Sequence, residues 1–455
     1  MSPEVRSPQE AILQFLSSLQ SPARILVAIS GGSDSTGLLL LLDEAVKAAP
    51  HLKISLCAAT VDHALRAGSA DEAHTAAALC TSRGIPHTIA TWQGDKPRTG
   101  IMAAAREARY GLLAEAAAAF GADLIVTAHT LDDQRETLAM RGMRTEQAST
   151  GIADAVLFNR HFWVLRQLLF SSRADIRSFL KERGVPWIDD PSNEDVKYER
   201  VRIRRQLSAG AGPEKNIRRA WEERLALSAK AAEWLDRHFR LHGGLLGQVM
   251  PDGLRRDRAV LDYALGRLTG VFGGQPFAPG RAHMERILAF ATGSQPARMT
   301  AGRVVFDLRR DGLYLTRESR GILPLVLRPG EAGVWDGRFF VRNGVARPIV
   351  VEAASHSPSF LSLGSSPRTG MREHHFEHLP KAAWNRAIAS APALSAEGAL
   401  LSQEYARMVD LTPYFAPFDR FLTRFDFIFA DRLSAVFVTA SYPRPPLRSI
   451  DGKTI

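Results

Sequence analysis

The chain has 455 residues, a formal net charge of +10 and two cysteines, Cys57 and Cys80. Its length predicts two or three domains, its apolar runs are too short to span a membrane, and two distant cysteines exclude a disulfide framework or a cysteine metal cluster. The first residues carry no apolar signal core, so we expect a cytoplasmic protein, and the positive charge favours a polyanionic partner.

A glycine-containing loop follows the first predicted strand. We expect a short helix at residues 8–19 and a buried strand at 25–29, which leads into six small or polar residues: Ser30, Gly31, Gly32, Ser33, Asp34 and Ser35. Glycine lets backbone N–H groups approach an anion, and the helix that follows points its positive end at the same place. The loop therefore predicts a phosphate site, although a Gly-Ser turn with a capping Ser or Asp accounts for the same residues.

Strands and helices alternate through the first half of the chain. Further strands are expected at residues 52–61, 87–92 and 123–128, with an alanine-rich helix at 101–119 between the last two. This alternation predicts an α/β fold, a doubly wound parallel sheet with helices on both faces. In such sheets ligands bind beyond the carboxyl ends of the strands, so we expect the functional site at that edge.

Polar residues follow the carboxyl ends of two predicted strands. Asp62 and His63 end the second strand, and the fourth strand runs into His129, Asp133 and Glu136. Taken singly, each pattern fits a turn, a helix cap or a hydrogen-bonded histidine as well as a functional site. Their convergence around a phosphate loop favours function. Asp133 and Glu136 share one helix face, where they could hold Mg²⁺ with phosphates or bind an ammonium group.

These motifs resemble those of a known enzyme group. Residues 30–35 are similar to the PP-loop of the N-type ATP pyrophosphatases, which cleave ATP between the α and β phosphates, and they lack the Gly-Lys-Ser/Thr of a Walker loop. Five further segments are similar, in the same order, to segments of the tRNA(Ile)-lysidine synthases: 61–66, 105–110, 129–137, 187–193 and 198–204.

The resemblance implies an ATP-dependent ligase that acts on the tRNA(Ile) with a CAU anticodon. Its ligands would be ATP, Mg²⁺, L-lysine and that tRNA. The C2 oxygen of the wobble cytidine would be adenylated, and the ε-amino group of free lysine would then displace AMP. Asp62, His63 and His129 would lie in the nucleotide site, where the two histidines orient groups or move protons.

The remaining candidate residues take roles from their chemistry. The backbone of Gly31 and Gly32 would cradle pyrophosphate. Asp34 and Asp133 are candidate Mg²⁺ ligands, and Asp133 with Glu136 could instead bind the ammonium group of lysine or a second Mg²⁺. Two arginines are candidates for contacts with the α-phosphate or the tRNA backbone: Arg109 and Arg204.

The second half of the chain is predicted to bind the body of the tRNA. We expect helices at residues 217–241, 255–268 and 282–290, followed by a hairpin at 302–316. We predict a catalytic domain at residues 1–208, a tRNA-binding domain at 217–350 and a small domain of uncertain type at 371–455.

Two other functions stay open on the sequence. A tRNA thiolase of the same superfamily would use the same adenylation, but those enzymes need reactive or cluster-binding cysteines, and Cys57 and Cys80 form no Cys-x-x-Cys pair. A tRNA-binding protein with an inactive ATP site belongs to a different class, and the presence of Asp34, Asp133 and Glu136 argues against it. The sequence sets no oligomeric state.

Overall fold

The computed structural model describes residues 6–66, 68–142, 149–189, 202–203, 217–255, 257–354, 378–450 and 453–454. The chain forms two compact units, one of Met1–Arg224 with Pro443–Ile455 and one of Leu225–Tyr442. The second unit takes in residues from both of the later predicted domains, and the domain boundaries given above stay predictions. No described helix is long and apolar enough to cross a membrane.

The first unit alternates helices with strands, as the sequence predicts. Its helices are α1 (Pro8–Ser18), α2 (Ser33–Ala48), α3 (Ser69–Ser82), α4 (Ile101–Phe120), α5 (Leu131–Gly142) and α6 (Arg173–Glu182). Its main strands are β1 (Ala23–Ala28), β2 (Ile54–Asp62), β3 (His87–Thr91), β4 (Leu124–Val126), β5 (Ala155–Phe158) and β6 (Phe162–Leu165).

Within this unit the strands lie side by side in the order β5-β6-β4-β1-β2-β3. Strand β1 pairs in parallel with β2 and β4, β2 with β3, and β4 with β6. Only β5 runs antiparallel to its neighbour β6 among these pairs, because a hairpin joins the two strands. The predicted doubly wound parallel sheet is confirmed, with β5 as an antiparallel addition.

Buried apolar residues hold the sheet and α2 together. Ile25, Leu26 and Val27 of β1 are fully buried, and α2 is apolar on nearly all sides, as expected for a helix covered by other elements. Helix α6 packs closely on α2 at Gly37, where a Cβ atom would lie only 2.3 Å from Cγ2 of Ile176. This close approach brings the start of α6 to the start of α2.

The helices that follow in the chain are α7 (Ile217–His238), α8 (Arg258–Gly273), α9 (Arg281–Ala291), α10 (Lys381–Ala389), α11 (Gln403–Ala406) and α12 (Phe427–Val436). Helix α7 ends three residues before its predicted end, because residues 239–242 pair with the next strand. Between these helices lie short strands: β7 (Phe239–His242), β8 (Leu246–Val249), β9 (Ala297–Ala301), β10 (Val304–Arg309), β11 (Gly312–Arg317), β12 (Leu325–Leu327), β13 (Ala332–Trp335), β14 (Phe339–Asn343), β15 (Ile349–Ala353), β16 (Pro392–Ala396), β17 (Ala399–Leu400), β18 (Val409–Pro413) and β19 (Phe421–Thr423).

The described residues of the second unit form three antiparallel sheets. A five-stranded sheet has the order β7-β8-β11-β10-β9, a four-stranded sheet β12-β15-β16-β17 and a three-stranded sheet β13-β14-β18. The predicted hairpin is confirmed as β10 and β11, with Leu308 opposite Leu313. One core of this unit gathers around buried Trp335, Val341 and Ile349.

Candidate active site

Loop 30–35 follows β1 and leads into α2. Gly31 has a φ of +81°, a left-handed conformation that would strain a residue with a side chain. Gly32 is extended and stands at the N-cap position of α2. The hydroxyl of Ser35 accepts a hydrogen bond from Ser30 N at 3.1 Å and donates one to Gly32 O at 3.1 Å. These bonds within the loop help to fix its shape.

The N-terminus of α2 is directed at the same loop. The helix begins at Ser33, slightly earlier than the sequence suggests, and Gly32 has no side chain with which to cap its first N–H groups. Uncapped N–H groups and the positive end of a helix dipole together form an anion site. The geometry of loop 30–35 therefore suits a phosphate group.

Carboxylates from α2 and α5 stand beside the loop. Asp133 Oδ2 accepts hydrogen bonds from Thr130 N at 2.8 Å and Thr130 Oγ1 at 3.1 Å, which is the geometry of a helix cap. Its other oxygen, Oδ1, lies 3.6 Å from Nη2 of Arg173. Glu136 follows one turn later on α5 and is 2% exposed. Asp133 is thus a capping residue and a site carboxylate at once.

Arg173, the first residue of α6, connects these carboxylates. Its Nε donates to Asp34 Oδ2 at 2.8 Å, and its backbone N–H donates to Asp132 Oδ2 at 2.8 Å. Burial raises the pKa of the Asp34 carboxyl above its usual range, the charge of Asp133 acts in the same direction, and Arg173 opposes both. One guanidinium therefore offsets the repulsion between two carboxylates that come from different helices.

The segment after α6 lies directly on the loop. Ile188 N donates to Gly31 O at 2.9 Å, and a Cβ atom on Gly31 would lie 2.8 Å from Cδ1 of Ile188. Arg177 donates from Nε to Ser33 Oγ at 3.3 Å and from Nη2 to Asp189 Oδ1 at 2.9 Å. Residues 187–189, the described part of the predicted segment 187–193, thus lie against the loop. Residues 190–193 lie outside the described part of the chain.

A second group stands at the carboxyl end of β2, next to β1. Arg109 of α4 points its Nη2 at Nε2 of His63, 3.2 Å away, and its Nε lies 3.4 Å from the same atom. Asp62 Oδ1 accepts from Ala64 N at 2.8 Å, which fixes the turn after the strand. The ring of Trp92, which follows β3, contacts His63 edge-on at 6.0 Å between centroids.

The protonation state of His63 follows from these contacts. A guanidinium only donates hydrogen bonds, so Nε2 is the acceptor and we assign the ring proton to Nδ1. Nδ1 is buried, and no described group accepts a hydrogen bond from it. Burial, and then the charge of Arg109, lowers the pKa of His63 to about 4. His63 is therefore neutral at pH 7 and offers an N–H donor.

Two predicted site residues remain to be placed, His129 and Arg204. His129 follows β4, and its Nδ1 lies 3.1 Å from Oγ1 of Thr127. Since β4, β1 and β2 are adjacent parallel strands, their three polar groups lie along one edge of the sheet. Helix α4, which carries Arg109, is anchored by the hydrogen bond from Arg166 Nη2 to Tyr110 Oη at 2.9 Å. Arg204 lies outside the described residues.

Two arginines of the site, Arg173 and Arg177, are not among the residues predicted from sequence, because α6 is not among the predicted helices. Its signals were present: Ser172 caps the helix by accepting from Asp175 N, and buried Ile176, Phe179 and Leu180 follow at helical spacing. A Gly two residues after the helix completes the pattern. With α6 assigned, the spacing of four residues places both arginines on one face of the helix.

The donor set suits a magnesium ion that also binds phosphates. Among the described residues, no group of three or more His, Cys, Asp or Glu side chains is placed to hold a metal ion. Mg²⁺ in nucleotide sites, however, takes one or two carboxylates and completes its shell with phosphates and water. Asp34 and Asp133 offer two such carboxylates, and the guanidinium between them shows that this position accepts positive charge.

Comparison with known proteins agrees with this geometry. Residues 5–210 match the family model of the PP-loop domain. The tRNA(Ile)-lysidine synthase of Rhizobium meliloti is 42% identical over 453 residues, 96% of each chain. The tRNA(Ile)-lysidine synthase of Mesorhizobium japonicum is 37% identical over 93% of this chain and 94% of its own length. That of Brucella canis is 33% identical over 90% of this chain and 94% of its own length.

Among solved structures, a U34-tRNA thiolase from Methanococcus maripaludis aligns over 47% of this chain and 77% of its own, at 17% identity and a TM-score of 0.40. That likeness is too distant to bear on the reaction. The full-length similarity to the curated relatives is decisive for the family. The chain belongs to the tRNA(Ile)-lysidine synthases, within the PP-loop ATP-binding proteins.

Proposed function

We propose that this protein uses ATP to join free lysine to C2 of the wobble cytidine in the tRNA(Ile) with a CAU anticodon. The C2 oxygen attacks the α-phosphorus of ATP and pyrophosphate leaves. The ε-amino nitrogen of lysine then attacks C2, and the oxygen departs with AMP. The tRNA thereby changes from a methionine to an isoleucine acceptor.

The observation that carries the proposal is the common edge of the parallel sheet. Loop 30–35, the group at Asp62 and His63 and the group at His129 and Asp133 follow three adjacent strands at their carboxyl ends. Ligands of such sheets bind at that edge. A phosphate loop with carboxylates on one side and the exposed Arg109 beside the half-buried His63 on the other supports a site for a nucleotide and a second reactant.

Within this site, loop 30–35 and the N-terminus of α2 bind the pyrophosphate part of ATP, where negative charge develops as the bond breaks. Asp34 and Asp133 are the proposed ligands of Mg²⁺, which would neutralise the phosphates and polarise the reacting phosphoryl group. Asp34 is 18% exposed in its side chain and stands in the first turn of α2, within reach of any phosphate bound there.

Lysine would enter on the α5 side of the site. Asp133 and Glu136 share one face of α5, and Glu136 is almost fully buried. Carboxylates at such a position suit an ammonium group, and the same acids suit a second Mg²⁺. The attacking amine must be neutral, so a group at the site has to accept its proton.

Arg109 and His63 would contact the phosphates or the nucleoside. Arg109 carries the charge, whereas His63 is neutral, with its Nε2 facing Arg109 and its Nδ1–H buried. His63 is therefore better suited to orient Arg109 than to accept a proton, which leaves His129 as the candidate proton carrier. Arg204 is the second proposed phosphate contact, from the sequence resemblance alone.

The deciding experiment supplies the protein with ATP, labelled lysine and CAU-anticodon tRNA. We expect label in the RNA and one AMP for each lysine joined. Folded protein that incorporates no lysine would contradict the proposal. Transfer of sulfur from a sulfur donor would favour a thiolase instead, and tRNA binding without AMP release would favour an inactive binder.

Replacing Asp34 separates ATP chemistry from tRNA binding. We expect Asp34→Ala to abolish AMP formation, because Mg²⁺ loses a ligand at the phosphates, while tRNA affinity changes less than about twofold. Filter binding of labelled tRNA and chromatography of the nucleotides measure the two effects. The matched control is Asp71→Ala, an exposed acid in the first turn of α3, which should change neither. Equal loss of AMP formation and tRNA binding in Asp34→Ala would contradict the role of Asp34 as a Mg²⁺ ligand.

A further inference from the structure

Arg173 occupies the position that the proposed function gives to a metal ion. Its guanidinium lies 2.8 Å from Asp34 and 3.6 Å from Asp133, the two proposed Mg²⁺ ligands. All three side chains are less than one-fifth exposed, so their charges interact strongly. Arg173 therefore brings a positive charge to both carboxylates.

Mg²⁺ bound to Asp34 would compete with Arg173 for the same oxygen. Arg173 Nε donates to Asp34 Oδ2, and a metal ion bound to that oxygen has to displace the donor. A guanidinium in contact with both carboxylates would also hinder them from binding one Mg²⁺ together. Binding of a metal ion there would require the guanidinium to leave, and a guanidinium that is 19% exposed would leave at a high cost unless it gained a new anionic partner.

Bound ATP would provide that partner. Arg173 begins α6, and Arg177, one turn later on the same face, donates to Ser33 in loop 30–35. Loop 30–35 contains no Lys or Arg, so the charge on pyrophosphate must be met from outside the loop. The structure brings these two guanidiniums of α6 to that loop, and Arg173 has only to exchange a carboxylate for a phosphate.

We propose that Arg173 is a counter-ion switch: it neutralises Asp34 and Asp133 in the nucleotide-free protein and passes to the pyrophosphate group when Mg²⁺ and ATP bind. The inference rests on the proposed function, because it uses the same site for ATP and Mg²⁺. It predicts that the metal ion binds poorly before the nucleotide. Binding of the two is then cooperative, since ATP draws away the cation that blocks the metal site.

The test measures two affinities in the same variant. Arg173→Met keeps the length of the side chain and removes its charge. We expect it to bind Mn²⁺, followed by electron paramagnetic resonance without nucleotide, at least about threefold more tightly than the parent. We expect it to bind α,β-methylene ATP with Mg²⁺ at least about tenfold more weakly. Arg173→Lys should give intermediate values for both. The opposite signs distinguish a switch from an arginine that only holds α6 in place.

A matched control uses another arginine at α6. Arg183, just after the helix, pairs with Glu44 through Nε at 2.6 Å, remote from loop 30–35. Arg183→Met should change neither affinity, and thermal melting checks that each variant is folded. Parallel weakening of both affinities in folded Arg173→Met, or no change in either, would overturn the switch. A parent that binds no ATP with Mg²⁺ would instead overturn the proposed function.

Discussion

His63 shows how a single contact decides what a residue can do. Two donors of Arg109 face its Nε2, which leaves that nitrogen no lone pair for a proton. Burial and the neighbouring cations Arg109 and Lys96 hold its pKa at about 4 against the opposing charge of Asp62. His63, predicted from sequence to orient groups or move protons, is thus held neutral by its surroundings, and its Nε2 orients Arg109.

The depressed pKa of His63 predicts a pH dependence of stability. An unfolded histidine titrates near 6.5, whereas folded His63 titrates at about 4. Between these values the unfolded chain takes up a proton that the folded chain does not, so acidification through this window favours unfolding. We therefore expect His63→Gln to lose less free energy of unfolding than the parent when the pH falls from 7 to 5.

Urea denaturation at the two pH values measures this difference. His51→Gln is the control, because His51 is exposed on the surface and the substitution is the same. Other buried histidines whose pKa values are lowered by burial, such as His87, are common to all three proteins and cancel in the comparison. Equal losses in the parent and His63→Gln would mean that His63 charges as freely in the folded protein as in the unfolded chain.

At the scale of elements, the contact between α2 and α6 determines the site. Gly37 lies in α2, and its missing side chain leaves room for Ile176 of α6. That contact brings Arg173 to Asp34 although the two residues are 139 positions apart in the chain. The site thus depends on one small residue that belongs to no recognised motif.

Gly37→Ala tests this dependence. The added methyl would stand 2.3 Å from Cγ2 of Ile176, so α6 has to shift. We expect the free energy of unfolding to fall by about 1–3 kcal/mol, as for other overpacked cores. In the control, Gly111→Ala in α4, the new methyl meets nothing within 4 Å, and we expect stability to rise by up to about 1 kcal/mol from helix propensity. Chemical denaturation compares them, and a stabilised Gly37→Ala would disprove the tight contact.

Local patterns in the sequence predict the elements that build the edge of the sheet. Loop 30–35, β2 and the start of α5 are visible because each combines an apolar run with polar residues at its end. Non-local pairings are not visible. Strand β14 pairs with β18, Asn343 opposite Val409, and no local signal encodes so distant a partner. For the same reason the ion pair of Arg173 with Asp34 could not be read from sequence, even though the signals for α6 itself were present.

At the scale of the whole molecule, the net charge of +10 supports an RNA partner. Exposed arginines occur on the second unit, among them Arg298 on β9 and Arg310 in the turn between β10 and β11. Neither belongs to the proposed ATP site. We propose that this unit meets the phosphates of the tRNA, which places catalysis and much of the RNA affinity in different parts of the chain.

Salt dependence tests the electrostatic part of tRNA binding. We expect affinity to fall about tenfold or more between 50 and 200 mM salt, which corresponds to about two or more neutralised phosphates. The double variant Arg298→Ala and Arg310→Ala should show a shallower salt slope, by up to about 2, without loss of ATP binding. Fluorescence anisotropy with labelled tRNA measures both slopes. An unchanged slope in the variant would show that Arg298 and Arg310 do not meet the RNA.

The central claim is that ATP activates the wobble cytidine before lysine attacks. The most direct test supplies ATP labelled at the α-phosphate together with CAU-anticodon tRNA, leaves lysine out, and follows the label. The account predicts that label accumulates on the wobble cytidine of the tRNA and is released as AMP when lysine is added. Formation of labelled AMP or an adenylated lysine in the absence of tRNA would contradict it, because ATP would then activate the amino acid instead of the RNA base.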